Sequence, residues 1–295
     1  MPSGSSAESI TGMKQLPWRL GILAVLCLLL YAPLYPGLVE TWVDDSNNSH
    51  GLLIPAVSLY LVWLLKDQLK AVEPRNSVVG LVLLVLSLLA YFMSYVGDLA
   101  FPARITIITT LTGLILFNYG WGVLRVLLFP LLFLVFMIPV PDTLMGMVSF
   151  PLQLIVSNVS ARLIDLYGIP VYAEGNLLHF ARYSFEVTEA CSGIRSLVSF
   201  LAIGALFAYL ERGRWWKGMV LILATVPLAI FVNLVRVTGT GIIANYFGHR
   251  VARGFLHDFS GFAVFGSGIL LMIFTVWILN KIHFNRQRSE ERSVA

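Results

Sequence analysis

The sequence predicts an all-α polytopic membrane protein of about eight transmembrane helices, with an interfacial helix and a small hairpin before the sixth. Three observations predict it. Hydrophobic residues make up 58% of the 295-residue chain and charged residues 12%, against about 45–50% and about 25% in soluble domains. The apolar residues fall in runs near the roughly 20 residues a bilayer core requires, joined by loops too short to hold a soluble domain of about 100 residues. The basic residues gather at the ends of those runs, where they set orientation; the net charge of +4 therefore does not imply nucleic acid as a partner.

Residues 1–16 are rich in Ser and Gly and predict a disordered cytoplasmic tail, residues 17–281 a single transmembrane domain, and residues 282–295 a basic cytoplasmic tail. The first apolar run follows Lys14 and Arg19 as a signal peptide would, but it ends in Tyr31-Ala32-Pro33-Leu34-Tyr35-Pro36-Gly37 without a small-residue cleavage site. It is assigned as a span from Trp18 to Leu38. A polar loop, Glu40 to Gly51, leads to a second span ending near Leu65 and closed by Lys66, Lys70 and Arg75. The third covers Val78 to Val96, the fourth Ile105 to Tyr119, and the fifth Val123 to Val140, with Gly120-Trp121-Gly122 as the return between the last two.

Pro139 and Pro141 stop the fifth span. From Asp142 to Leu166, apolar residues alternate with Ser, Asn and Arg162, a mixture that fits an amphipathic or re-entrant helix better than a clean span. Residues 176–187 carry β-formers, and Ala181-Arg182 between Phe180 and Tyr183 marks a hairpin turn. The sixth span runs from Cys191 to Leu210, the seventh from Gly218 to Val235, and the eighth from Phe259 to Leu279. With the amino terminus inside, thirteen of the twenty Lys and Arg residues lie on the inner face and ten of the sixteen acids on the outer, as the positive-inside rule requires. Cys191, Arg236 and His257 then fall near the outer boundary of the bilayer.

Candidate chemistry centres on Cys191. Of the two cysteines, Cys27 sits in an apolar run without ionisable neighbours and behaves as a small hydrophobe. Two distant cysteines form no disulfide framework and no zinc spacing, so no metal or cofactor is expected. Cys191 opens an apolar helix, whose positive end favours a thiolate, as does Arg195 one turn on. Arg236 follows a long apolar run, where a cation costs about 2.5–3.5 kcal/mol unless it is paired or employed. It is either a snorkelling cation or a fixed guanidinium that stabilises an oxyanion, with Asn233 three residues back to orient it. His257 can exchange protons near neutral pH; His249 and His50 compete for that role, and His179 does so less well. Glu189 and Glu186 precede the thiol, and a carboxylate there can support the helix start or orient Arg195.

The blocks Glu189-Ala190-Cys191-Ser192-Gly193-Ile194-Arg195-Ser196, Asn233-Leu234-Val235-Arg236-Val237 and His257-Asp258-Phe259-Ser260-Gly261-Phe262, in that order, resemble the exosortase family of bacterial membrane enzymes. Ser49-His50-Gly51 is a further similar feature. The resemblance implies a multi-pass cysteine protease or transpeptidase of the plasma (inner) membrane with Cys191, Arg236 and His257 as its catalytic set. It implies substrates that are membrane-anchored exported proteins bearing a carboxy-terminal sorting signal: a Pro-Glu-Pro motif, a helix in the lipid bilayer and a basic tail. It also implies an acceptor nucleophile of unknown identity and a link to exopolysaccharide production. A transporter would instead line a path across the membrane and show internal repeats, which this chain lacks. A non-catalytic scaffold for polysaccharide assembly is the other alternative, and it is separated from the enzyme by the need for Cys191.

Overall fold

The structure is a computed structural model that describes residues 16–45, 48–181, 183–187, 194–211, 215–248 and 266–281. It divides into two compact units, residues 1–139 and 140–295.

In the first unit the expected first span is broken. Helix α1 (Leu16–Leu30) gives way at Tyr31 to a 3-10 turn (Ala32–Leu34) and then to α2 (Tyr35–Asp44). Pro33 and Pro36 have no N–H to give to a continuing helix, so the chain restarts with each proline in a first turn. Tyr31 is fully buried. Its hydroxyl donates to the Thr106 carbonyl at 3.0 Å and lies 2.7 Å from Thr110 Oγ1, which is also 2.8 Å from Ser87 Oγ. Hydroxyls inside an apolar bundle are thus paired with one another and with backbone.

A 3-10 turn (Ser49–Leu52), α3 (Leu53–Leu64), the short α4 (Lys66–Lys70), α5 (Val78–Val96) and the long α6 (Ala100–Phe133) follow, and a 3-10 turn (Leu134–Met137) ends the unit. The expected third span coincides with α5. The fourth and fifth are two arms of α6, broken at Gly120, whose φ of 76° and ψ of −172° are not helical. The arms fold back on each other. Arg104 Nη2 donates to the Gly37 carbonyl at 3.2 Å and Trp42 Nε1 to the Met137 carbonyl at 2.8 Å. A straight helix would separate residues 104 and 137 by about 50 Å, whereas residues 37 and 42 of α2 are about 8 Å apart. Only glycine suits this corner, because a β-carbon at 120 would collide with the Arg75 carbonyl.

The second unit begins with α7 (Asp142–Leu166), followed by three strands, β1 (Val171–Glu174), β2 (Leu177–Phe180) and β3 (Ser184–Glu186). The hairpin expected around Ala181-Arg182 is present, closed by Phe180 N–H donating to the Tyr183 carbonyl at 2.9 Å. Strand β1, which the sequence reading left out, adds to it as an antiparallel neighbour, giving the order β1-β2-β3. Four residues are too few for a distinct alternating pattern, and it is pairing with β2 that defines them.

Helices α8 (Ile194–Leu210), α9 (Trp215–Phe247) and α10 (Gly266–Lys281) complete the unit. Contacts fix their directions. A β-carbon at Gly218 would meet Ala208, one at Gly204 would meet Thr225 and Met272, and one at Gly268 would meet Phe200. Helix α8 therefore runs antiparallel to α9 and parallel to α10. Asn280 Nδ2 donates to Glu211 Oε1 at 3.2 Å and Lys217 Nζ donates to Asn280 Oδ1, tying one set of ends together. The opposite ends, those of Ile194, Phe247 and Gly266, lie on the side of the sheet. Helix α7 meets α9 at Ser160 and Ile164 against Thr238 and Gly241, with both chains running toward that side.

Among the described residues, four helical stretches are long and apolar enough to cross a membrane: Val78–Val96, Ala100–Met137, Asp142–Leu166 and Trp216–Phe247. Ser49–Leu64, Leu197–Leu210 and Gly266–Lys281 are shorter apolar helices. The helical membrane architecture stands, whereas α7, expected as an amphipathic or re-entrant helix rather than a clean span, is long and apolar enough to cross a membrane. It is one continuous helix of 25 residues that absorbs Pro151, and it is the least apolar of the four long stretches.

Candidate active site

The sheet is the part of the second unit that organises its functional end. Alternation along β2 turns Leu178, fully buried, and Phe180 inward, and leaves Leu177 and His179 on the other face. The inward side chains join a buried cluster with Val156, Ala161, Ile164, Ile169, Val187 and Val237. This cluster draws on α7, the sheet and α9 at once. Tyr183 packs on its edge and donates its hydroxyl to the Gly241 carbonyl of α9 at 3.4 Å. Burial pushes that phenol up to about 12.

Two members of the cluster flank the predicted chemistry. Val187, with no exposed surface, is four residues before Cys191, and Val237, 1% exposed, directly follows Arg236. Because both side chains are locked into one apolar core, the chain running toward Cys191 and the turn of α9 that carries Arg236 are held by the same packing. Val187 is further fixed by its N–H, which donates to the Asn176 carbonyl at 2.8 Å, and Asn176 Nδ2 in turn reaches Glu186 Oε1 at 3.3 Å and Gln153 Oε1 at 3.5 Å.

Arg236 is half-buried, and Asn233 on the preceding turn is fully buried beside Val232. The two share a face of α9, as their three-residue spacing requires. Arg195 occupies the first turn of α8. Cys191, Glu189, His257 and the competing His249 lie outside the described residues. The described flanks of these segments are Val187 and Ile194 for Cys191 and Glu189, and Gly248 and Gly266 for the two histidines; helices α8, α9 and α10 all have their ends toward the sheet there. His50 sits in the 3-10 turn of the first unit. His179 is on the outer face of the sheet, stacked on Tyr172 with ring centroids 4.7 Å apart, its Nε2 3.2 Å from Glu174 Oε2 and its Nδ1 2.9 Å from Ser184 Oγ.

A further feature escaped the sequence reading. Ser149, Gln153, Ser157 and Ser160 are all buried on α7. Their spacing of four, four and three places them on one helical face. Ser160 Oγ accepts from Thr238 Oγ1 at 3.3 Å, two residues past Arg236, whereas Ser157 Oγ has no partner among the described residues. The signal was present as a polar i, i+4 stripe, but the larger apolar side chains on the rest of the helix masked it.

A half-buried guanidinium one turn from a buried asparagine can hold an oxyanion, since its charge persists at any physiological pH and its donors form a rigid fork. Comparison with known proteins bears on this. Neither curated proteins nor solved structures provide a match to the chain. A family model described as transmembrane exosortase matches residues 42–274. Exosortases are generally cysteine transpeptidases or proteases acting within the membrane on exported proteins with sorting signals. The matched stretch takes in most of this multi-pass membrane protein, including the blocks around Cys191, Arg236 and His257, and the chain therefore belongs to the transmembrane exosortase family.

Proposed function

We propose that the protein is a membrane cysteine protease or transpeptidase that cleaves the carboxy-terminal, Pro-Glu-Pro-type sorting signal of exported proteins at the outer face of the bacterial plasma membrane, in the service of exopolysaccharide production. The observation that carries this reading is the shared core of Val187, four residues before Cys191, and Val237, the residue after Arg236. Cys191 supplies the thiolate, Arg236 the oxyanion cation, and His257 the proton transfers. Glu189, Arg195 and Asn233 support them by holding the helix start and the guanidinium.

The thiolate adds to the scissile carbonyl carbon, and the oxygen takes the electron pair beside Arg236. Collapse of that adduct breaks the C–N bond, and His257 gives its proton to the leaving amine. The resulting thioester passes its acyl group to water or to an acceptor nucleophile, whose proton returns to His257. A substrate anchored by its own helix shares the two-dimensional phase of the enzyme, which supplies proximity without a large binding surface.

The outward orientation draws support from charge. The ends of the second unit away from the sheet carry Lys217 and Lys281, next to Arg212 and Arg214 in the sequence, and the tails 1–16 and 282–295 are assigned to the same cytoplasmic side. With the five crossings expected before residue 140, this orientation requires α7 to stay on the outer side of the bilayer, although α7 is long and apolar enough to cross it. Its buried polar face and its hydropathy, the lowest of the four long stretches, support that position.

Replacing Cys191 with Ala or Ser in cells and following the size of a Pro-Glu-Pro-tagged reporter tests the reading. Processing should stop in both variants; undiminished processing by both overturns it. His257→Ala should abolish processing while His249→Ala spares it, and the reverse pattern transfers the proton-transfer role to His249.

A further inference from the structure

The β3 strand is an edge. Its pairing alternates: Phe180 N–H donates to the Tyr183 carbonyl at 2.9 Å, Val187 N–H donates to the Asn176 carbonyl at 2.8 Å, and the register sets Phe185 opposite Leu178 between them. Residues 183, 185 and 187 thus spend their backbone groups on β2. In an antiparallel ladder the intervening residues point theirs the other way, so Ser184 and Glu186 turn N–H and C=O to the open side. Among the described residues no strand lies there, and both residues are exposed. Edges are commonly blunted by shortness, charge, Pro or a bulge. Strand β3 is short and carries one charge, Glu186, but no Pro or Lys stands at its two outward-facing residues, and Cys191 is five residues beyond Glu186.

We propose that the open edge of β3 takes the sorting signal as a fourth, extended strand. The inference rests on the proposed peptidase reading and adds to it how the substrate is gripped. Strand addition provides affinity from main-chain hydrogen bonds and uses side chains only for choice of sequence. On the proposed reading the signal alternates Pro, Glu, Pro. A proline has no N–H to give, so it is tolerated in a strand only where that group would face away from the ladder. With the glutamate paired to the edge, both prolines face away and the residues two positions to either side of the glutamate pair again. The register follows from charge. Opposite Glu186 the substrate carboxylate meets a like charge, whereas opposite Ser184 it meets the hydroxyl that is bonded to His179 at 2.9 Å.

The test uses the full chain in nanodiscs with a tagged, membrane-anchored reporter. Glu186→Pro removes one open-edge donor without touching the pairing to β2, and Glu186→Thr removes the same carboxylate but keeps the donor. The expected result is a KM at least tenfold higher for the proline variant than for the threonine variant, with kcat within twofold between the two. Equal KM values in the two variants overturn the proposal. Should the proline variant fail to fold, synthetic signal peptides serve as competitors against wild-type enzyme: N-methylation of the glutamate should weaken inhibition at least tenfold, and unchanged inhibition refutes strand addition. A reporter still cleaved after Cys191→Ala would instead remove the peptidase reading itself, so the two failures are distinguishable.

Discussion

Leu178→Ala isolates the contribution of the sheet to the functional end. Leu178 has no exposed surface and belongs to the cluster that joins α7, the sheet and α9. The substitution deletes three carbons. At about 0.8 kcal/mol each, transfer alone accounts for about 2.4 kcal/mol, and the cavity left between Ile164, Phe180 and Val237 brings the total to about 3–4 kcal/mol, within the range for buried leucines. The readout is hydrogen exchange of residues 171–187 in nanodiscs. If these amides exchange through detachment of the sheet, a loss of about 3 kcal/mol accelerates them on the order of 100-fold, since about 1.4 kcal/mol corresponds to a factor of ten. Exchange in α5, in the other unit, should be unaffected. Reporter processing should fall in parallel, because the approach to Cys191 and the seat of Arg236 lose their common core. Acceleration of less than about threefold would show that the cluster does not hold the sheet and would refute the reasoning from Val187 and Val237.

Three further outcomes follow from the same structure. Tyr183 titrates at about 12 rather than 10.0 because burial disfavours its anion; a phenol whose folded value is raised stabilises fully below pH 10 and loses that contribution as pH climbs from 10 toward 12. In a tyrosinate absorbance titration Tyr183→Phe should remove one late-ionising residue, and a difference that instead appears near 10 in the folded protein would contradict its burial. Single cysteines placed at Asp142 and at Tyr167, in a background with Cys27 and Cys191 replaced by Ser, should both react with a membrane-impermeant maleimide from outside the cell; labelling from opposite sides would show that α7 crosses and would reverse the orientation assigned to the site. Gly120→Ala forces a side chain into φ 76° and onto the Arg75 carbonyl, and it should cost at least about 1–3 kcal/mol of first-unit stability, read as a lowered melting temperature in detergent. An unchanged melting temperature would mean that the two arms of α6 do not turn at this residue.

Legibility differed by level. The span Val78–Val96 coincided with its apolar run because a helix that faces lipid must be apolar along its whole length, and composition alone marks its limits. The break at Tyr31 was less visible, although Pro33 and Pro36 were in plain sight: proline is compatible with either a kink or a restart, and the bond from Tyr31 to Thr106 settles which. Strand β1 could not be recognised from Val171 to Glu174 alone, since its partner is what makes it a strand. The blocks containing Cys191, Arg236 and His257 were found from residue type and order, whereas the buried stripe of Ser149, Gln153, Ser157 and Ser160 was not, because nothing in a serine's identity tells whether it faces a neighbour or water.

The sequence by itself marked a helical membrane protein, carried motif blocks that resemble those of exosortases, and offered Cys191, Arg236 and His257 as candidates for a thiol, a fixed cation and a proton relay. The first is a property of composition and periodicity and the others of residue type and order, all local along the chain. Only the tertiary structure decided that α6 folds back at Gly120, that α7 runs unbroken with its Ser160 bonded to Thr238 of α9, and that a three-stranded sheet shares one core with Val187 and Val237. Each depends on contacts between residues tens of positions apart, whose pairing no local pattern encodes.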